Sequence, residues 1–363
     1  MIKQTNPNAA RPTLVALACV LSTASGAAVA APLAGLGADL EGLTVSGLSS
    51  GGYMATQFQV AHSALVRGAG VFASGPYDCA EGDLERALSH CMAPDGVNLP
   101  PSPEETLARI RAYAEARQID PVGNLGDDRV WVFSGGADRT VTRPVVEALV
   151  SFYREQVEDE ALRYVTLPTA GHAMISVAAP GANACGSTAS PYVNRCGEFD
   201  AAGEMLAHLT GALQPKVAAR EAGLRSFDQA SHTPLSPVDL SMAKQGMVYV
   251  PQACEAGGCR VHVVFHGCRQ GTDAVGQDFV RGAGYNEWAE ANRLIVLYPQ
   301  VHARHGMAWG SWRWVYNPQG CWDWWGYSGK AYPTRDGGQI RAVHSMLQQL
   351  AEPVSGPAGT AGN

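Results

Sequence analysis

Short apolar runs alternate along this chain with stretches whose apolar positions recur at helical spacing, a pattern that predicts an α/β layer fold. Leu43-Thr44-Val45 reads as a short strand. GGYMATQFQVAHS continues it as a helix, with Met54, Phe58 and Val60 among its apolar positions. Val66 to Ala73 is a second strand. PSPEETLARIRAYAEARQ is a helix with a marked start: Ser102 as N-cap, Pro103 at the first helical position and Glu105 completing a capping box. Val130 to Phe133 reads as a buried strand, TRPVVEALVSFYREQVED as an amphipathic helix with Thr142 or Thr140 near its cap, and Tyr164 to Leu167 as a further strand.

A polar stretch, Glu221 to Lys244, opens the second half and is a candidate boundary. Met247 to Val250 and Val261 to Phe265 read as a hairpin closed by the loop between Cys254 and Cys259. GYNEWAEANR is helical and leads into a strand from Leu294 to Tyr298. GGQIRAVHSMLQQLAE is a last amphipathic helix. No internal repeat is evident.

The two ends differ from the body. Lys3 and Arg11 form a basic start, an apolar stretch opens at Thr13 to Val20, and Ala28-Val29-Ala30 is a small-x-small cleavage site, so residues 1–30 are expected to be an export signal. The apolar run breaks into Ser22, Thr23, Ser25 and Gly26 and is too short to span a bilayer, so stable membrane insertion is not expected. The expected layout is one catalytic domain over 31–352, a flexible tail over 353–363 and no separate substrate-binding domain. A monomer is expected.

Charge removes one class of partner. The chain carries 26 Lys and Arg against 33 Asp and Glu, a net −7; without residues 1–30 the balance is 24 − 33 = −9. An acidic chain with no Lys/Arg run has no electrostatic reason to bind nucleic acid.

Cys19 leaves with the signal, and the eight remaining cysteines of an exported chain read as disulfides. Proximity suggests Cys79–Cys91, Cys185–Cys196 and Cys254–Cys259, which leaves a long-range Cys268–Cys321. Cys254, Cys259, His262 and His266 superficially resemble a zinc-ligand set. Only two residues separate the Cys pair from the first His, where a zinc finger needs about 12, and RVHVVFHG alternates like a strand. No metal or organic cofactor is expected.

Candidate chemistry begins at VSGLSSGGYM, residues 45–54. Gly47-Leu48-Ser49-Ser50-Gly51 fits G-x-S-x-G, a strand–turn–helix elbow that exposes a nucleophilic serine. Ser49 alone among the local serines has glycines two positions away on both sides. A serine hydroxyl needs a histidine base, and the base needs a carboxylate to hold its tautomer. Asp138 lies in SGGADRTV after one predicted strand and His172 in PTAGHAM after another. The order Ser49, Asp138, His172 is the Ser, Asp/Glu, His order of α/β-hydrolases. Ser50, directly after the nucleophile, supplies one backbone N–H for an oxyanion. VVFHGCRQG, with His266-Gly267-Cys268 after a strand, is the loop expected to supply the other. That loop normally precedes the nucleophile; here it follows by more than 200 residues. The expectation is therefore a circularly permuted α/β-hydrolase fold, with a central, mostly parallel sheet and helices on both faces.

Taken together, GLSSGGYMA, SGGADRTV, AGHAM, FHGC and GCWDWWGYSG resemble the extracellular poly(3-hydroxybutyrate) depolymerases with the circularly permuted, type 2 catalytic domain, over residues 40–350. The resemblance implies a secreted serine esterase that hydrolyses short-chain-length polyhydroxyalkanoates and their oligomers. It puts the triad on Ser49, Asp138 and His172 and the oxyanion donors on Ser50 and Cys268. The substrate-contacting position falls on a tryptophan of CWDWW, with Trp325 preferred and Trp324 and Trp322 beside it. Six of the eight tryptophans lie between residues 309 and 325, in a stretch rich in Gly, Pro and Asn that reads as loop. Loop aromatics suit a water-insoluble, uncharged polyester.

Two other readings share parts of this pattern. An exported feruloyl or acetyl-xylan esterase would use the same chemistry with a different pocket. A non-catalytic polymer-binding protein would use only the aromatic loop.

Overall fold

A computed structural model describes residues 30–233, 237–307, 309 and 311–354, together with Met1. Nearly all of the expected export signal and of the tail lies outside these residues.

One eight-stranded sheet takes strands from both halves of the chain. Numbered in chain order they are β1 (Asp39–Leu48), β2 (Val66–Phe72), β3 (Arg129–Gly135), β4 (Leu162–Leu167), β5 (Leu224–Asp228), β6 (Gln245–Tyr249), β7 (Arg260–Phe265) and β8 (Leu294–Tyr298). Their order across the sheet is β4-β3-β2-β1-β7-β8-β6-β5. All neighbours are parallel except β6, which runs antiparallel to β8 and to β5.

Counted from β5 instead, the sheet reads first, second, fourth, third, fifth, sixth, seventh, eighth, with only the second strand reversed. That is the order of an α/β-hydrolase sheet, opened between the half that carries Cys268 and the half that carries Ser49. The two ends of the described fold meet accordingly: the N–H groups of Leu36 and Ala38 donate to Leu350 O (3.0 and 2.9 Å). The permutation inferred from loop order is thus present in the strand order.

Alternation along the strands builds two cores. Val130 and Val132 of β3 and Ile295 and Leu297 of β8 face one side, with the helices Ser50–Ala61, Pro103–Glu115, Arg143–Arg154 and Gly338–Ala351. Trp131 and Phe133, and Leu294, Val296 and Tyr298, face the other, with Ala201–Thr210 and Tyr285–Asn292. The capping box at Ser102 is formed, its hydroxyl accepting from Glu105 N at 3.2 Å.

The hairpin expected from β6 and β7 is absent. β8 lies between them, pairing parallel with β7 and antiparallel with β6. All three strands are almost wholly buried, so periodicity identifies them but says nothing of their neighbours. The polar stretch Glu221–Lys244 is not a break in the sheet, because it carries the edge strand β5. All four disulfides pair as spacing suggested: Cys79–Cys91, Cys185–Cys196, Cys254–Cys259 and Cys268–Cys321. Among the described residues no helix is long and apolar enough to cross a membrane.

Candidate active site

Four loops meet at the carboxyl ends of parallel strands, the edge where open α/β sheets bind ligands. They carry Ser49 after β1, Asp138 after β3, His172 after β4 and Cys268 after β7.

Ser49 joins β1 to the helix Ser50–Ala61 with φ 58°, a left-handed conformation that non-glycine residues rarely hold. Its N–H donates to Phe72 O (2.9 Å), and its carbonyl accepts from Tyr53 N (3.0 Å). The turn closes because glycines flank it. A Cβ on Gly47 would lie 2.1 Å from Gly51 O, and one on Gly52 would lie 2.6 Å from Ser74 Cβ.

His172 Nδ1–H donates to Asp138 Oδ2 at 2.7 Å. The other carboxylate oxygen accepts from the N–H groups of Thr140 (2.7 Å) and Val141 (3.0 Å), so the acid is aimed before the imidazole meets it. Both side chains are buried. The pairing holds the proton on Nδ1 and leaves the Nε2 lone pair free to act as a base. Glycines again bring the loops together: a Cβ on Gly135 would lie 2.4 Å from Ala170 O, and one on Gly136 the same distance from Pro168 O. The His172 loop is tied to the Cys185–Cys196 segment through Gly171 N to Cys185 O (2.9 Å) and His172 N to Thr188 Oγ1 (3.1 Å).

Ser49 and His172 line one cavity of about 460 Å³. The described residues include no hydrogen bond between Ser49 Oγ and His172 Nε2. Such bonds commonly tighten only around substrate.

Gly267 and Cys268 line the same cavity. Ser50 opens its helix, so its N–H has no intrahelical acceptor. Neither that N–H nor the Cys268 N–H has a partner among the described residues. Two free backbone donors near a serine on strained backbone are the makings of an oxyanion hole.

Sequence reasoning did not single out what holds this loop. His266 is buried; its Nδ1–H donates to Gly267 O (2.7 Å) and its Nε2 accepts from Val301 N (3.2 Å). Burial pulls its pKa down to about 4, so it remains neutral. Gln270 accepts from Gly267 N (2.8 Å) and donates to Tyr192 O (3.0 Å). Their place beside Gly267 in HGCRQ is the only signal, and it names the loop without naming its braces.

The tryptophans divide. Trp324 and Trp325 line the cavity, Trp324 stacked on Tyr53 with ring centroids 4.4 Å apart and Trp325 edge-on to it at 5.5 Å. Trp322 does not reach the cavity. It is fully buried against Phe265, 5.0 Å between centroids, so the expectation that it contacts substrate is corrected: it is a core residue. Asp323 organises the turn, accepting from the N–H groups of Trp325 (3.2 Å), Gly326 (2.7 Å) and Ser328 (2.7 Å). Desolvation raises its pKa, against the pull of those donors.

The zinc-like spacing resolves otherwise. Cys254 and Cys259 are bonded to each other. His262 is buried in β7 against Thr44 Oγ1 (2.7 Å) and Ser46 Oγ (2.8 Å). Among the described residues no cluster suited to a metal ion occurs.

No family model matches the chain. Individual proteins do. Poly(3-hydroxybutyrate) depolymerase of Delftia acidovorans is 39% identical over 325 residues, 87% of this chain, which spans 60% of that relative's length. Polyhydroxybutyrate depolymerase of Talaromyces funiculosus is 33% identical over 350 residues, 94% of this chain and 99% of its own. The crystal structure of PHB depolymerase from Penicillium funiculosum superposes with a TM-score of 0.78 at 32% identity, covering 89% of this chain and 100% of that one. A serine-to-alanine variant of PHB depolymerase complexed with R3HB trimer matches equally well. Near-complete mutual coverage of the Talaromyces funiculosus relative at 33% identity, together with the structural match, shows that the chain belongs to the polyhydroxybutyrate depolymerase family.

Proposed function

We propose that this chain is a secreted serine esterase that cleaves poly(3-hydroxybutyrate), related short-chain polyhydroxyalkanoates and their oligomers. The observation that carries the reading is the convergence of Ser49, His172 and the free N–H of Cys268 on one apolar-walled cavity, with Asp138 bonded to His172. His172 Nε2 takes the Ser49 proton as Oγ attacks the ester carbonyl. The oxyanion rests between the N–H groups of Ser50 and Cys268. His172 then returns the proton to the leaving alcohol, and a 3-hydroxyacyl group stays on Ser49 until His172 activates water to release it. Residues 31–352 act as one monomeric catalytic domain.

A solid polyester is the substrate that best explains the outer surface. Trp309, Trp312 and Trp314 are 101, 96 and 68% exposed, beside a hairpin pairing Arg304–Gly306 with Val315–Asn317. Tyr316 and Asn317 of that hairpin also line the cavity, so one element carries both exposed rings and cavity wall. Apolar surface of this extent marks an interaction site. Four disulfides fit an oxidising, extracellular setting.

The test is clearing of a poly(3-hydroxybutyrate) suspension set against ferulate or acetate release from plant-wall esters. Clearing with 3-hydroxybutyrate products is expected. Release from the wall esters alone would favour the carbohydrate-esterase reading.

A further inference from the structure

We infer that Arg269 recognises the terminal carboxylate of short 3-hydroxyacid oligomers and so marks the leaving-group side of the site, an inference that rests on the esterase reading above. Among the described residues lining the catalytic cavity, His172 is the only other member of the His, Lys, Arg, Asp and Glu set; no carboxylate faces the cavity. Arg269 directly follows Cys268, the proposed oxyanion donor. It also lines the adjoining cavity of about 440 Å³, with Tyr192 and Gln319 common to both walls.

The residue is held at two points by one neighbour. Its backbone N–H donates to Gln319 O at 2.7 Å, and its Nε donates to Gln319 Oε1. Its φ of 60° fixes the turn, and the Cys268–Cys321 disulfide pins the residue before it. Its terminal Nη1 and Nη2 have no hydrogen-bond or ion-pair partner among the described residues. Asp273 lines the adjoining cavity but makes no ion pair with Arg269 among those residues. The fork of a guanidinium fits a carboxylate with two parallel hydrogen bonds.

The substrate's chemistry identifies what that fork would meet. The repeating unit of a polyester is uncharged, so a fixed cation does nothing for its interior. A linear 3-hydroxyacid oligomer has one charged group at neutral pH, the carboxylate at one end. When Ser49 attacks an internal ester, the acyl part retained on the enzyme ends in a hydroxyl, and the departing alcohol bears the carboxylate. An arginine engaging that carboxylate therefore stands on the alcohol's side of the scissile bond. It favours cleavage near the acid end and makes the site more responsive to free-acid oligomers than to chain interiors.

The test compares internal ester cleavage of the (R)-3-hydroxybutyrate trimer as the free acid and as its terminal amide, followed chromatographically at low ionic strength. The wild-type protein is expected to prefer the acid about tenfold in kcat/KM, the scale of a charge-assisted pair discounted for exposure. R269Q is expected to bring the ratio of acid to amide close to one, and R269K to leave it between. Any general damage to folding acts on both substrates and cancels in the ratio. An unchanged ratio in R269Q, or no preference in the wild type, overturns the inference. If the wild type cleaves neither trimer, the esterase reading itself falls and this inference with it.

Discussion

Gly51, on the first turn after Ser49, touches the end of the strand Arg260–Phe265: a Cβ there would lie 2.2 Å from Phe265 O and 2.5 Å from His266 O. The two halves of the permuted chain are therefore pressed together at backbone level, where no side chain can move aside. G51A is expected to destabilise the protein by about 1–3 kcal/mol, the range for overpacking a filled core, and to lower activity beyond that loss. Urea denaturation and ester hydrolysis on the same sample check both. Wild-type stability with full activity would mean the two backbones have room to part.

Asp138, the proposed acid, is held by three hydrogen bonds, two from backbone. D138N retains the shape but presents an amide to His172 Nδ1, favouring the wrong tautomer. A fall in kcat of about 10⁴ is expected, with little change in melting temperature. A loss below tenfold would remove Asp138 from the mechanism.

Much of this was readable from the chain and some was not, for physical reasons. Caps are local, so Ser102 and Glu105 announced their helix. Glycines that admit a close backbone approach are local too, so the elbow at Ser49 was legible. Strand neighbours are not local. Met247–Val250 and Val261–Phe265 looked adjacent because only a short loop separates them, yet Leu294–Tyr298 enters between. The edge strand Leu224–Asp228 buries only Phe227 of its five residues and gives no clear alternation. The helix Ala201–Thr210 has a local signal too, Asp200 capping Gly203 N. Within CWDWW nothing local distinguishes a ring turned to the core from one turned to the cavity, so Trp322 reads the same as Trp324 and Trp325.

Cys268 and Cys321 close a loop of 53 residues between the oxyanion turn and the tryptophan turn. Removing the bond with C268A/C321A retains the backbone N–H at 268. A stability loss of about 4 kcal/mol is expected from the chain entropy released. Because the bond joins donor to pocket wall, kcat is expected to fall as well, by about tenfold. Calorimetry with ester kinetics tests this, and unchanged kcat would assign the bond to stability alone.

Asp128 gives a pH signature unrelated to catalysis. Burial pushes its carboxyl up to about 7, with only Gln59 Nε2 donating to it among the described residues, at 2.7 Å. The folded state thus holds this proton more tightly than the unfolded chain, whose carboxyl titrates near 4. Stability falls as pH rises through roughly 4 to 7 and is level above. Buried His262 and His266, held down to about 3 and about 4, act oppositely and lose stability as pH drops below about 6.5. The difference between D128N and wild type isolates the carboxyl. It is expected to move in favour of D128N by a few kcal/mol between pH 5 and pH 8, and a difference independent of pH would contradict the assignment.

The exposed tryptophans separate adsorption from chemistry. W309A/W312A/W314A is expected to lose most binding to a polyester film, at least tenfold, while cleaving the soluble trimer at near wild-type kcat/KM. Adsorption isotherms and trimer kinetics measure the two. Equal film binding by the variant would leave these rings without a role at the solid surface.

The central claim is that Ser49 is the nucleophile, activated by His172. Its most direct test is inhibition with diethyl 4-nitrophenyl phosphate, followed by mass mapping of the labelled peptide. One diethylphosphoryl group on Ser49 is expected, in step with lost activity, absent from S49A and formed far more slowly in H172N. An adduct on another serine, or full activity in S49A, would contradict the account.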